Sequence, residues 1–208
     1  MTAHSEPALI SVRNLDVRRE DRTICHVDEL SVEHGERIGI VGPNGTGKTT
    51  LLRVLAGFEK SFTGQWSTDA APRDRVFVHQ SPRLFRGSVF SNVTYGLPAR
   101  GVSRSDQKTM ALDWLHRVGL DDFADRDAAT LSGGEVRRVA IARACILEPK
   151  LLLLDEPFAD LDPAGIDHVV AAVASLAKST ILIASPVPLP ESLRHCRVTL
   201  AFPEQVPV

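Results

Sequence analysis

The stretch "GPNGTGKT" (42–49) spaces Gly42, Gly47, Lys48 and Thr49 as G-x-x-x-x-G-K-[ST]. Glycines so placed let the backbone curl until several N–H groups face one anion, and a helix starting at Gly47 adds partial positive charge. Lys48 is expected to reach the β- and γ-phosphates of a nucleotide triphosphate. Gly42, Pro43, Asn44, Gly45, Thr46, Gly47 and Thr50 complete the cradle, and the Thr49 hydroxyl is a Mg²⁺ ligand. "LLLLDEP" (151–157) supplies the matching acids. Asp155, ending an apolar strand, can hold Mg²⁺ through water. Glu156, one residue on, can polarise an attacking water as general base. Two carboxylates at a strand end mean little alone; beside a phosphate loop they predict a triphosphate site.

These residues need a scaffold, and the surrounding pattern describes one. "ERIGIVG" (36–42) reads as a buried strand leading into a helix from Gly47 to about Ala56, and "RVFVHQ" (75–80) as a second strand. "KLLLLDEP" (150–157) is apolar without alternation, as expected of a strand covered on both faces. A helix from Pro163 to about Lys178 follows, with Asp162 as N-cap and proline at its first position. "TILIAS" (180–185) and "RVTLAF" (197–202) are a fourth strand and a possible fifth. Such β–α alternation predicts an α/β fold with a largely parallel sheet. The stretch from Ser81 to Ala129 differs, with helical patterns and no convincing strand. Its clearest helix, about Asp106 to Val118, is introduced by a Ser103-x-x-Asp106 capping box.

Bulk properties narrow the classes. The 208 residues are 43% hydrophobic and 24% charged with net charge −2, enough for one domain with a sizeable core. No long basic run suggests nucleic acid as a partner. Cys25, Cys145 and Cys196 are widely spaced and odd in number, which fits a reduced, cytosolic compartment better than a disulfide framework. No apolar run approaches the roughly 18 residues of a membrane span. The N-terminus "MTAHSEPALISVRN" lacks the basic start and apolar core of a signal peptide. A soluble chain is expected, taken to any membrane by another protein.

"LSGGE" (131–135) narrows the class of phosphate-loop protein. Ser132 and Glu135 form a capping box for a helix to about Leu147, and a capped helix preceded by small residues is itself an anion site. Its place just upstream of the Asp155 strand resembles the signature of ATP-binding-cassette (ABC) ATPases. "IVGPNGTGKTTLLRVLAG", Gln80 closing its strand, "TLSGGEVRRVAIARACILEPKLLLLDEP" and "FADLDP" look like that family's ordered motif set. The resemblance covers nearly the whole chain.

The resemblance implies a single ABC-type ATPase domain, 1–208. Residues 1–80 and 148–208 would form the P-loop NTPase α/β core with an N-terminal antiparallel β subdomain, and 81–147 an inserted helical subdomain. It also implies two such chains, alike or different, head to tail. Each ATP would lie between the Lys48 loop of one and the Leu131, Ser132, Gly133, Gly134 and Glu135 segment of the other. Gln80 would join the Mg²⁺ and water network and report to a membrane partner through the helical insertion. Asp160 and Asp162 would border the dimer seam. Glu135 replaces the family's commoner glutamine.

Two positions depart from the family's pattern. The strand after Asp155 should end in Thr/Ser-His-Asp, but "TILIASPVPLP" puts Pro186 where the histidine that contacts the γ-phosphate should be. Proline has neither a ring nitrogen for this nor a backbone N–H, and Pro186, Pro188 and Pro190 disfavour the helix that normally follows. Losing one preorganised donor costs about 10²–10³ in rate, so a slow ATPase is expected rather than a dead one. His79, His168 and His195 could substitute, but each reads better as a solvated or core-satisfied histidine. The second departure is Arg19, within "VRREDR", at the place of the aromatic that stacks on adenine. A guanidinium plane can stack on a base instead.

The expected function is an ATP-hydrolysing subunit that drives solute transport through a separate membrane permease, at the inner face of the cell membrane. "SPRLFRGSVFSNVTYGL" (81–97) resembles the permease-coupling region of importer ATPases, and the stretch after it looks most like oxyanion, tungstate or phosphate importers. The chain stops soon after "RVTLAF", without the C-terminal regulatory domain some importer ATPases carry. A catalytically impaired nucleotide-binding partner in a heterodimer is the alternative, favoured by Pro186 and Arg19 and opposed by Glu156. A soluble ABC protein acting on ribosomes or DNA would need two cassettes or a long coiled-coil insertion, and neither is present.

Overall fold

The computed structural model describes residues 8–20, 22–190, 193 and 197–198. Three adjacent strands form the centre of a parallel sheet: β3 (Arg37–Val41), β6 (Leu151–Asp155) and β7 (Thr180–Ser185). With β5 (Arg75–Val78) and β8 (Arg197–Val198) the order is β5-β6-β7-β3-β8. Every residue of β6 and β7 is buried. Side chains alternate across a strand, and here both faces are covered. Leu151 and Leu153 of β6 and Leu182 and Ala184 of β7 join one core, with Leu51, Leu52 and Leu55 of α1 (Lys48–Ala56). Leu152, Leu154, Ile181 and Ile183 join a second core, with α4 (Gly133–Cys145) and α5 (Pro163–Ala174). That double covering is why these strands show no alternation in the sequence.

A separate antiparallel sheet, β2-β1-β4, is built from β1 (Ile10–Arg19), β2 (Arg22–Val32) and β4 (Thr63–Thr68). Its buried side chains, Ile10, Val12, Leu15, Val17, Val27, Leu30 and Val32, extend the first core beneath α1. The alternation in β1 slips between Val12 and Leu15, where Asn14 takes φ 47° and the register against β4 shifts. That irregularity conceals the strand from a search for two-residue periodicity. Gly64 of β4 passes so close that a Cβ there would lie 2.0 Å from the Asn14 carbonyl oxygen.

Between Ser81 and Leu147 the named elements are helical: α2 (Val89–Val93), α3 (Arg104–Arg117), α4 and short 3₁₀ turns. α3 starts at Arg104, with Ser103 as N-cap accepting from the Asp106 N–H at 3.3 Å. The expected capping box is only half made. Ser103 Oγ donates to the Asp106 carboxylate at 2.6 Å, because aspartate is one carbon too short to reach back to the cap's own N–H as glutamate does. α5 ends at Ala174, not near Lys178. The chain must turn here to enter β7, and Ser179 pins that turn by donating to the Pro149 carbonyl at 2.6 Å. After β7, residues 186–190 form no helix. Leu189 instead buries itself against the open face of Gly39 in β3. Of the expected fifth strand, only Arg197–Val198 lies within the described residues, paired in parallel with β3.

Candidate functional site

The carboxyl ends of β3, β6 and β7 meet at one edge of the sheet, the usual place for a ligand in open α/β folds. The loop from β3 to α1 lies there, tied to β7 by the Gly42 N–H donating to the Ser185 carbonyl at 3.2 Å. Gly45 and Gly47 take φ 81° and 93°, which curls the loop into α1. Pro43, Asn44 and Gly45 form its exposed tip, while Thr46 is buried and donates to the Pro43 carbonyl at 3.0 Å. Lys48 is 4% exposed. Its ammonium donates to the carbonyls of Gly42 and Pro43, each at 2.6 Å. Burial lowers its pKa, opposed by the carboxylates of Glu156 and Asp155.

Thr49 Oγ1 lies 3.0 and 2.9 Å from the two oxygens of Asp155. The Asp155 residue is 1% exposed, and burial raises its carboxyl above the ordinary carboxylate range against the pull of the Thr49 hydroxyl. A buried carboxylate beside a hydroxyl is an all-oxygen donor pair suited to a hard cation such as Mg²⁺. Glu156 follows at φ 48°. Its N–H donates to the Ala184 carbonyl at 2.9 Å, and its side chain accepts from Gln80 Nε2 at 2.8 Å. Gln80 lies two residues beyond the end of β5, shorter than the strand expected to reach it.

The Ser132–Glu135 segment bonds two of its N–H groups within its own cap. The Glu135 N–H donates to Ser132 Oγ at 3.4 Å, and the Ser132 N–H donates to the Glu135 carboxylate at 2.7 Å. That second bond holds the Glu135 carboxyl below its ordinary range. Leu131 is half-buried, Ser132 and Gly133 are exposed, and Gly134 approaches the Asp160 carbonyl. Asp162 caps α5 through the Gly165 N–H at 2.9 Å, and Asp160 takes φ 57°. Arg19 ends β1 and pairs with Glu59, its side chain 60% exposed. Sequence reasoning missed Arg137, a buried arginine on α4 whose Nη1 donates to the Glu156 carbonyl at 2.8 Å. A basic residue at a helix position turned to the core was its one visible signal.

Of the histidines weighed against Pro186, His79 accepts from the Ser81 N–H through Nδ1 at 3.0 Å, and its ring meets Phe77 edge-on. The His168 ring packs over Gly119, in the turn after α3. His195 lies outside the described residues.

Beyond Gln80 a groove of about 780 Å³ opens between β5 and α4. Phe58, Phe85 and Tyr95 on its wall are 65, 49 and 63% exposed. Phe85 and Tyr95 stack with centroids 4.3 Å apart, and the Arg143 guanidinium lies over Phe85 at 5.2 Å. No helix of the described residues is long and apolar enough to cross a membrane.

Residues 25–159 match the family model described as ABC transporter. The chain is 36% identical over 182 residues to the tungstate uptake system ATP-binding protein TupC of Peptoclostridium acidaminophilum, covering 84% of this chain and 85% of that one. It is 41% identical over 167 residues to the Fe(3+) ions import ATP-binding protein FbpC of Escherichia coli O157:H7, covering 76% of this chain but 48% of that one. Among solved structures, cbiO1 of Clostridium perfringens, part of the ABC transporter complex cbiONQ, superposes with TM-score 0.74 at 28% identity. That match covers 88% of this chain and 80% of that one.

Proposed function

This chain belongs to the ABC transporter family of ATP-binding ATPases, and from that premise we propose that it hydrolyses ATP to drive import of an oxyanion through a separate permease. The observation that carries the reading is the meeting of Thr49 with Asp155 and of Gln80 with Glu156, beside the Lys48 loop, at one sheet edge. The tungstate relative supports the oxyanion class.

The roles follow from the geometry. The N–H groups of residues 44–50 line the phosphates, and Lys48 exchanges two carbonyl acceptors for phosphate oxygens. Thr49, Asp155 and Gln80 are the oxygen donors for Mg²⁺, which when bound neutralises charge on the phosphate oxygens. Glu156 accepts a proton from water as the water oxygen bonds to the γ-phosphorus. The bond from that phosphorus to the bridging oxygen breaks, and ADP leaves with the electron pair. Arg19, its side chain 60% exposed beside Glu59, stacks its guanidinium plane on adenine. The self-contained Ser132–Glu135 cap presents its exposed end to the nucleotide of a second copy or a related chain. The exposed aromatic groove takes the permease, as contiguous apolar surface of this kind favours a partner. The chain then works at the cytoplasmic face of the membrane.

The alternative of a catalytically impaired partner finds no support among the relatives, which are named as import ATP-binding proteins. Steady-state hydrolysis of Mg-ATP by the purified chain tests the reading. Glu156→Gln is expected to lower the rate by about 10²–10⁴ while ATP still binds. An equal rate in that variant, or no hydrolysis by the wild type alone or with its permease, would sink it. For the solute, tungstate should stimulate hydrolysis by the reconstituted transporter where ferric iron does not.

A further inference from the structure

Arg137 lies two residues beyond the Ser132–Glu135 cap, on the first turns of α4, with its side chain 8% exposed. Its guanidinium reaches out of the helix to the loop between β6 and α5. Nη1 donates to the Glu156 carbonyl at 2.8 Å, and Nη2 donates to Asp160 Oδ2 at 3.2 Å. Both partner residues have positive φ, 48° at Glu156 and 57° at Asp160. Left-handed backbone at a side chain that is not glycine is unfavourable, and persists only where its surroundings over-determine it. At Glu156 the surroundings are three bonds. Its N–H is held by the Ala184 carbonyl of β7, and its carbonyl accepts from Arg137 at 2.8 Å and, at 3.3 Å, from the Ala159 N–H of its own loop.

We propose that Arg137 is a positioning residue for ATP hydrolysis, holding the Glu156 backbone in its left-handed conformation and so aiming the carboxylate at the attacking water. The inference rests on reading Glu156 as the general base. Packing alone does not account for an arginine here. Its Nε is buried without an acceptor, a burden that an apolar side chain of similar length would avoid. A planar fork presents separate nitrogens to the carbonyl and to the carboxylate, in a fixed geometry that a flexible ammonium lacks. The contact also joins the helix that begins at the Ser132 cap to the base of the same chain. A shift of α4 therefore reaches Glu156 through one side chain.

The test is steady-state hydrolysis of Mg-ATP by the full chain, with kcat and KM for the wild type, Arg137→Ala and Arg137→Lys, and thermal midpoints in parallel. Arg137→Ala is expected to lower kcat by roughly 10²-fold, the usual effect of misplacing a reacting group by about 1 Å, with KM within about twofold. Arg137→Lys should recover part of the loss, since a single shorter ammonium keeps the charge but not the fixed fork that spans the two acceptors. Millimolar guanidinium should partly restore Arg137→Ala and leave the wild type unchanged. An unchanged kcat overturns the proposal. So does a loss of kcat that tracks a fallen midpoint and weakened ATP binding with no rescue by guanidinium, which marks a purely structural arginine. If Arg137→Ala does not fold, Arg137→Lys decides: wild-type kcat overturns the proposal, and reduced kcat at unchanged KM upholds it. A wild type that hydrolyses ATP in a Glu156-dependent way, beside an indifferent Arg137→Ala, removes this inference and leaves the proposed function standing.

Discussion

Thr49 Oγ1 donates to the Asp155 carboxylate, 2.9 Å from one oxygen and 3.0 Å from the other, and so ties the first turn of α1 to the last residue of β6. The bond joins positions 106 residues apart and brings together the two oxygen groups proposed to hold Mg²⁺. Asp155→Asn keeps an acceptor for Thr49 but removes a buried charge. The ligand-free variant should therefore melt higher than wild type, by about 2–4 °C for each kcal/mol relieved. It should also lose the Mg²⁺-dependent part of its stabilisation by ATP. Differential scanning calorimetry with and without Mg-ATP reads both effects, and equal midpoints in the ligand-free proteins would show that the charge is no burden.

The loop glycines differ in what a side chain would meet. A Cβ at Gly47 would come 2.3 Å from the Ile24 carbonyl oxygen, whereas at Gly45 nothing lies within 4 Å. Gly45→Ala should cost only the left-handed backbone term, about 1–2 kcal/mol. Gly47→Ala must also move β2 or the loop, so its urea midpoint should fall at least twice as far. Equal falls would mean that β2 yields freely.

Pro186 follows Ser185, whose carbonyl holds the Gly42 N–H of the phosphate loop. On the proposed function, Pro186→His supplies the ring nitrogen that the family resemblance places beside the γ-phosphate. A gain in kcat of about tenfold or more is expected, part of the 10²–10³ that one such donor contributes. An unchanged rate would assign the role to another group, His79 first.

Arg19 pairs with Glu59 while its side chain stays 60% exposed. Arg19→Ala should weaken ATP binding by 1–3 kcal/mol, roughly 5–150-fold in Kd, and Arg19→Tyr should restore it. Calorimetric titration decides, and an unchanged Kd removes adenine stacking from the account. The Glu59 side chain is 9% exposed. Its carboxyl is held below the ordinary value of 4.5 by the Ser61 N–H first, with burial opposing and Arg19 adding. A depressed acid stabilises the fold above its unfolded pKa, and that contribution is lost as pH falls through the folded one. Wild type should therefore lose stability on acidification more steeply than Glu59→Gln. Superimposable pH–stability curves would show that this carboxylate contributes nothing.

Much of the site was legible because its chemistry is local. A phosphate loop needs its glycines, Lys48 and Thr49 within one turn of backbone, and a strand buried on both faces must be apolar throughout, so β3, β6 and β7 announced themselves. The Ser132–Glu135 cap is likewise a short-range contract between a hydroxyl, a carboxylate and two N–H groups. Less was legible where the pattern is broken or the ending is decided elsewhere. β1 slips phase at Asn14, the Ser103–Asp106 box depended on side-chain reach, and α5 stops at Ala174 because Ser179 is pinned to Pro149.

From the order of residues alone came the α/β class, the triphosphate loop, the paired acids Asp155 and Glu156, and the family they resemble. Only the tertiary structure decided which groups face one another across the sheet edge. It set Gln80 on Glu156, Glu59 on Arg19, Ser185 against Gly42, and Arg137 on the backbone of the proposed base. The physical reason is range. Hydrogen bonds act over about 3 Å, so a motif read along the chain shows only partners a few residues apart. These pairs stand 76, 40, 143 and 19 residues apart, and packing on both faces of the sheet brings them within reach.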